Sequence, residues 1–378
     1  MDNKSTSRQS EIEQTIDQCS VNPNVDGCPP RLAMKRPGSD VDSQNANANT
    51  SPDRKRQRVS KGKPRRATWD ARQPSPGSIL ALIQGERKQL WVPGIAWGEI
   101  HLRSMDVVFE RRKMGKTTKV DLNGAAVEES GKWKDDFGQG GTDACQWEDE
   151  RWCRATRQLS SYGEEVQRLA ARQVLETFGL VYTERPASRW SGGEQRVKEN
   201  EVAFQFGGQC VDKLRTDGLF GRGHRGRCMA YINFDTISRL RVRYADRRWH
   251  TGPPEERKQK KLSMNPVAAW EEPYVVDVLI CLAQEQAALG GEEGEDEGGW
   301  WVHVLGLEGA PARNGYLYTA WIPKAFLDKL EKPWEAIKCQ RVVVKYEAIK
   351  LEKQKLEKTA HRLWRSFKRN FTDFRSKE

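Results

Sequence analysis

The stretch from Pro273 to Leu330 constrains the fold more than any other part of the chain. It opens with Pro273–Gln286, passes an acidic run, and continues through Trp300–Leu307, Tyr316–Ile322 and Pro323–Leu330. Its apolar period changes from helical to alternating and back, which predicts a buried helix, a two-stranded hairpin and a short covering helix. On the first helix the polar ribbon Asp277, Cys281, Gln284 and Ala288 is narrow, and Val275, Val276, Val278, Leu279, Ile280 and Leu282 fill the remaining surface. Such a helix must be covered by a sheet and by a further layer. Pro273 suits the first helical position, and Glu271 and Glu272 complement the positive end of the dipole. Asp277 reads as solvent-facing and Cys281 as a small hydrophobe. No reactive constellation lies in this stretch.

A chain of 378 residues has room for two domains, but 37% hydrophobic and 31% charged residues with a mean hydropathy of -0.82 point to one core with disordered ends. The net charge of +11 is unevenly placed. Residues 1–75 carry 14 Lys+Arg against 9 Asp+Glu, residues 341–378 carry 12 against 5, and 38 against 39 remain between them. Basic ends on a neutral body suit a polyanion or a transport receptor. The expected organisation is a disordered basic arm (1–75), an α+β domain with a mainly antiparallel sheet and packed helices (76–346, with 272–330 at its core), and a basic amphipathic helix (347–378).

Within the arm, Arg54, Lys55, Arg56, Arg58, Lys61, Lys63, Arg65 and Arg66 form a cluster without an acid. It resembles a nuclear localisation signal, an extended basic peptide read by an acidic, aromatic-lined groove on an import receptor. That implies a nuclear address; a solvated charge run or a nucleic-acid arm has the same composition. Ser51-Pro52 lies close enough for a phosphate to add about −1.5 to −2 charge beside Arg54. The eight cysteines have no Cys-x-x-Cys spacing, and the chain has no apolar leader, no membrane span and no lipidation motif, so a reduced intracellular setting without membrane association is expected.

In the body, Ile79–Ile83, Ile95–Leu102, Asp106–Phe109 and Thr117–Leu122 read as strands of a small meander. Trp147–Gln158 reads as a helix, and Ser161 with Glu164 as the capping box of a second. Gly115-Lys116-Thr117 lacks a P-loop, because Glu110 stands at the first glycine position. Ser191–Glu194 reads as a turn. Gly221-Arg-Gly-His-Arg-Gly226 has nucleotide-loop spelling, but a strand follows it and no kinase lysine is present, so an Arg/Gly turn accounts for it. Asp217 and Asp235 are the weak catalytic candidates of a degenerate PD-(D/E)xK nuclease; Asn233-x-Asp235 supplies neither the Glu nor the Lys. Read as a strand, Ile237–Tyr244 places Arg239, Arg241 and Arg243 on one face, a surface for phosphates or for water, with Tyr244 and Trp249 available for stacking. Residues 251–261 read as a linker.

The C-terminal helix carries an apolar stripe flanked by Arg362, Arg365, Lys368 and Arg369, suited to docking on the body, to an acidic partner or to nucleic acid. His303 alternates with Trp301 and Leu305 and reads as a hydrogen-bonded core histidine. The scattered histidines give no zinc spacing, so no metal or cofactor is expected. The sequence Tyr274–Gln286, Val302–Leu305, Leu317–Pro323 and Phe326–Lys329 resembles a pattern of a filamentous-fungal protein family with no assigned activity, and the resemblance implies a shared fold element only. Three functions stay open. They are a nuclear, non-catalytic protein bound to DNA or RNA by its basic ends, a nuclear module for other protein partners whose basic segments serve import only, and the degenerate nuclease-like domain.

Overall fold

The computed structural model describes residues 72–371 apart from 113–117, 121–125, 129–141, 184–199, 223–225, 267 and 291–297. The basic arm with its Arg54–Arg66 cluster, the Ser51-Pro52 site, the Ser191–Glu194 turn, the acidic insertion after residue 290 and the chain beyond 371 lie outside the described residues. In chain order the elements are α1 (Ile79–Gly85), α2 (Arg87–Leu90), α3 (Glu99–Met105), β1 (Val107–Arg111), the small pair β2 (Thr118–Val120) and β3 (Ala126–Glu128), α4 (Thr142–Leu159), α5 (Glu164–Glu176), β4 (Val181–Tyr182), β5 (Glu201–Phe206), β6 (Gln209–Arg215), β7 (Gly218–Gly221) and β8 (Arg227–Asn233). They continue with α6 (Phe234–Arg248), α7 (Pro254–Ser263), α8 (Pro273–Ala288), β9 (Gly299–Leu307), β10 (Asn314–Pro323), α9 (Lys324–Glu331), β11 (Val342–Lys350) and α10 (Leu356–Phe371).

Helix α8 is apolar over most of its surface and is buried on every side from Pro273 to Ala283. Below it lies a seven-stranded sheet ordered β1-β11-β10-β9-β8-β7-β4, in which β1–β11 and β8–β9 are parallel and the other four pairs antiparallel. The fold is therefore α+β with a mainly antiparallel sheet. Above α8 lies the separate hairpin β5–β6, held by two side chains that imitate a strand edge. The Gln284 amide accepts from Gln205 N at 2.9 Å and donates to Gln205 O at 2.8 Å. The Tyr274 hydroxyl does the same with Arg215, accepting from N at 2.8 Å and donating to O at 2.9 Å.

Alternation along the strands divides two cores, because successive side chains leave opposite faces. Trp300, Val302 and Val304 of β9 with Tyr316, Tyr318 and Ala320 of β10 face α8, while Leu305, Leu307 and Leu317 face α4, α5 and α10. His303 is buried on that second side, its Nδ1 3.2 Å from Thr319 Oγ1. Helix α10 closes the layer with Ala360, Leu363, Phe367 and Phe371. It belongs to the body: β11 runs across the expected boundary at 346, and Arg369 and Ser366 of α10 reach its buried Glu347 at 3.1 and 2.7 Å.

Several expectations fail. Ile79–Ile83 lies in helix α1, with Ser78 Oγ accepting from Ala81 N at 3.2 Å, and Ile95–Leu102 divides between a 3-10 turn (Gly94–Ala96) and α3. Apolar runs this short carry no period that separates strand from helix, and only the Asp106 run yields a strand of the large sheet, β1. Gly163, rather than Ser161, caps α5. The linker at 251–261 is largely helix α7, started by Pro254 at its first position. Ile237–Tyr244 is not a strand: it lies inside α6, whose N-cap Asn233 accepts from Asp235 N at 2.9 Å. Asp277 is not solvent-facing but 0% exposed, because the hairpin covers the very ribbon that the sequence left to water.

Two buried charges shape the energetics. Arg241 and Glu272, with side chains 5% and 4% exposed, form a bidentate pair, and Glu272 also caps α8 by accepting from Tyr274 N at 3.1 Å. Removing one member strands the other, at a cost of about 3–5 kcal/mol. Glu272→Ala is therefore expected to lose about that much in chemical denaturation, and Arg241→Met/Glu272→Leu markedly less. Asp277 has neither carboxyl oxygen hydrogen-bonded, and burial, reinforced by the nearby Asp212 charge, pushes its pKa well up. An acid with a raised folded-state pKa holds its proton in the fold and releases it on unfolding, so its contribution falls as pH rises above the unfolded value near 3.9. Against the parent, Asp277→Asn should gain about 1.4 kcal/mol per pH unit from pH 4 upward, until the folded-state pKa is reached. Paired urea titrations at pH 4, 5.5 and 7 measure this; the lowered pKa values of His101 and His303, about 4 and about 3, act equally in both proteins.

Candidate functional site

The two acids that the nuclease pattern selects do meet in one network. Asp217 precedes β7, opposite the end of β8, and its backbone N donates to Tyr231 O at 2.9 Å. Its carboxylate accepts from Asn233 N at 2.7 Å and from Thr236 Oγ1 at 3.0 Å. Burial raises the pKa of Asp217, and these two bonds oppose the rise. Asp235 turns the other way, its Oδ2 accepting from Ala310 N at 3.0 Å. Asn233 stands between them: its side chain caps Asp235 N and donates to Gln167 Oε1 at 2.7 Å. Gln167 in turn donates to Ser161 O and Gly309 O at 2.9 and 3.1 Å.

Chemically this is a structural junction. A metal-assisted nuclease needs converging carboxylates and a cation to activate water. Here the centre holds two neutral amides, and the nearby guanidinium of Arg239 is occupied by a bidentate pair with Glu164 and by Thr236 at 2.9 Å. Among the described residues no group of three His, Cys, Asp or Glu side chains is placed to hold a metal ion. Gly221 and Gly226, at the ends of the Gly-Arg run, have a steric role as well. A Cβ on Gly221 would lie 2.5 Å from Gly226 O, and Gly226 has φ +75 with Leu289 Cδ1 2.4 Å from where its Cβ would be.

The arginines expected on one strand face separate on helix α6. Arg239 is paired with Glu164 and Arg241 is buried against Glu272. Arg243 is exposed and shares its face with Arg239 and Arg247 at successive four-residue steps. The exposed Arg243, Arg247 and Arg248 make no side-chain hydrogen bond or ion pair with the described residues. Helix α7 packs beside this end of α6: Lys261 reaches Asp246 at 2.8 Å, and Lys260 lies 5.5 Å from the centre of the Trp249 ring. Lys258 adds a further exposed cation. On α10 the four basic residues are half-buried beside the docked face: Arg369 holds Glu347 and Lys368 lies 4.3 Å from the Trp364 ring centre.

Sequence reasoning missed Gln167 and gave Asn233 no role. The cap signal was present in Asn233-Phe-Asp-Thr236, a residue type favoured before a helix followed by an acid in its first turn. If the Asp217 junction is structural, Asp217→Ala strands the Asn233 N–H and the Thr236 hydroxyl and should cost about 2–3 kcal/mol in denaturant. Millimolar Mg2+ or Mn2+ should leave the melting temperature of the parent unchanged. Comparison with protein-family models, with curated proteins and with solved structures finds no match.

Proposed function

We propose that this chain is a nuclear, non-catalytic protein that associates with nucleic acid, using its basic segments and the exposed arginine end of α6. The observation that carries the reading is the division of labour on that helix. Arg239 and Arg241 are consumed by Glu164 and Glu272, whereas Arg243, Arg247 and Arg248 face solvent, and the acid next to them, Asp246, is paired with Lys261. Guanidinium groups held on a rigid helix suit phosphate contacts, and the adjacent Tyr244 and Trp249 rings, 6.0 Å apart, offer stacking surface. The Arg54–Arg66 cluster supplies the address through an import receptor, and the neutral centre at Asn233 speaks against turnover.

A second reading is relict nuclease ancestry. Strands β4, β7 and β8 make an antiparallel meander, helices follow, and β9 then pairs parallel to β8. Asp217 stands at the start of the middle strand, where a PD-(D/E)xK domain carries its first acid. Ancestry of this kind fits nucleic-acid association without cleavage.

Fluorescence anisotropy of the full chain on labelled DNA and RNA tests the proposal. Binding should weaken as salt rises, and Arg243→Ala/Arg247→Ala/Arg248→Ala should reduce the log–log salt slope by about 2–3. An unchanged slope would remove α6 from the interface. Cleavage in Mg2+ that depends on Asp217 would overturn the non-catalytic reading.

A further inference from the structure

The segment of α1 to α3 and the hairpin β5–β6 enclose a cavity of about 190 Å3 on the side of the molecule that α8 supports. Its walls are aromatic and aliphatic: Trp91, Trp97, Phe204, Phe206 and Leu330 line it, with Trp91 edge-on to Phe206 at 5.6 Å and Trp97 edge-on to Phe204 at 5.5 Å. Leu82, Trp91 and Val211 at this cavity are 43%, 38% and 38% exposed, so its mouth is an apolar surface open to solvent.

Besides Ser104, whose hydroxyl donates to Ile100 O at 2.8 Å, two polar side chains interrupt that lining. His101 is 6% exposed and stacks on Trp97. Its Nδ1 accepts from Gly98 N at 3.0 Å, so the proton of the neutral ring sits on Nε2. That N–H lies near the Gln89 carbonyl but makes no hydrogen bond, leaving a buried donor unsatisfied. The second is Asp212, whose carboxylate accepts from Gly94 N and from Lys213 N, each at 2.8 Å. Behind Gly94 lies Asp277, close enough that a Cβ on Gly94 would come within 1.6 Å of its Oδ2. The two carboxyls thus flank one glycine, and no cation among the described residues is bonded to either.

We propose that this cavity binds a small aromatic amine, its ring between the tryptophan and phenylalanine walls, its ammonium on Asp212, and a hydroxyl or ring heteroatom accepting from His101 Nε2. The size fits: a cavity of about 150 Å3 takes benzene, and this one has room for a ring with a short arm. The charge fits as well, since Asp212 is an acid in the cavity wall to which no cation among the described residues is bonded. A buried donor and an acid at opposite needs of one ligand also fix its orientation.

Tyramine is the probe, titrated into the full chain by calorimetry and by quenching of tryptophan fluorescence, with 4-ethylphenol as its uncharged counterpart. Tyramine should bind about 10- to 100-fold more tightly than 4-ethylphenol, and Asp212→Asn should abolish that preference while leaving 4-ethylphenol unaffected. Val211→Trp, a change at the exposed rim that leaves the core untouched, should block both compounds and keeps the test informative should Asp212→Asn fold poorly. Equal affinity for the two compounds, an unchanged preference in Asp212→Asn, or no binding of tyramine at millimolar concentration would overturn the proposal.

Discussion

The structure depends on one unusual demand, a helix that has no face for water. An amphipathic helix needs one partner layer; α8 needs two, and the chain supplies a sheet on one side and the β5–β6 hairpin on the other. Apolar contact alone would leave the hairpin free to slide, because burial is not directional. Tyr274 and Gln284 remove that freedom, each closing a two-bond ring with the backbone of one hairpin residue, Arg215 and Gln205. The hairpin is thereby registered on the helix much as a strand is registered on its neighbour.

Registration of the hairpin has consequences at both of its ends. One end closes the cavity of Trp91, Trp97, Phe204 and Phe206 and brings Asp212 against Gly94. The other returns the chain through Thr216 and Asp217 into β7, so the position of the Asp217 junction is also set from α8. Arg241 ties the third side. Its pair with Glu272 fixes the start of α8 to the middle of α6, and this aligns the arginine end of α6 with α7. The candidate ligand cavity and the candidate phosphate surface are thus separate outcomes of one packing problem.

How much of this was legible follows from where the periodicity was long. The α8–β9–β10–α9 core was readable because its sixteen-residue helix and its nine- and ten-residue strands repeat their pattern often enough to separate period 3.6 from period 2. Ile79–Ile83 and Ile237–Tyr244 were not, because in a short run Arg239, Arg241 and Arg243 alternate like a strand while Arg239, Arg243 and Arg247 repeat like a helix. The N-cap at Asn233 favours the second pattern, and a reading that gave caps more weight would have found α6. Asp277 was illegible for a different reason. A polar residue on a narrow ribbon normally marks the solvent side, and only the long-range arrival of β5–β6 buries it.

The buried acid therefore marks a cost that α8 carries for being covered twice. A leucine at 277 would suit a helix without a wet face, yet Asp277 lies against Gly94 so closely that no side chain fits there, and Gly94 in turn gives its N–H to Asp212. Carboxyl, glycine and second carboxyl form one unit in which each part restricts the next. A fold under selection for stability alone would replace such a unit with hydrocarbon, because buried ionisable groups are commonly outperformed by apolar packing. The unit stands at the polar edge of the aromatic cavity, with Asp212 and Gly94 in its wall and Asp277 buried behind Gly94.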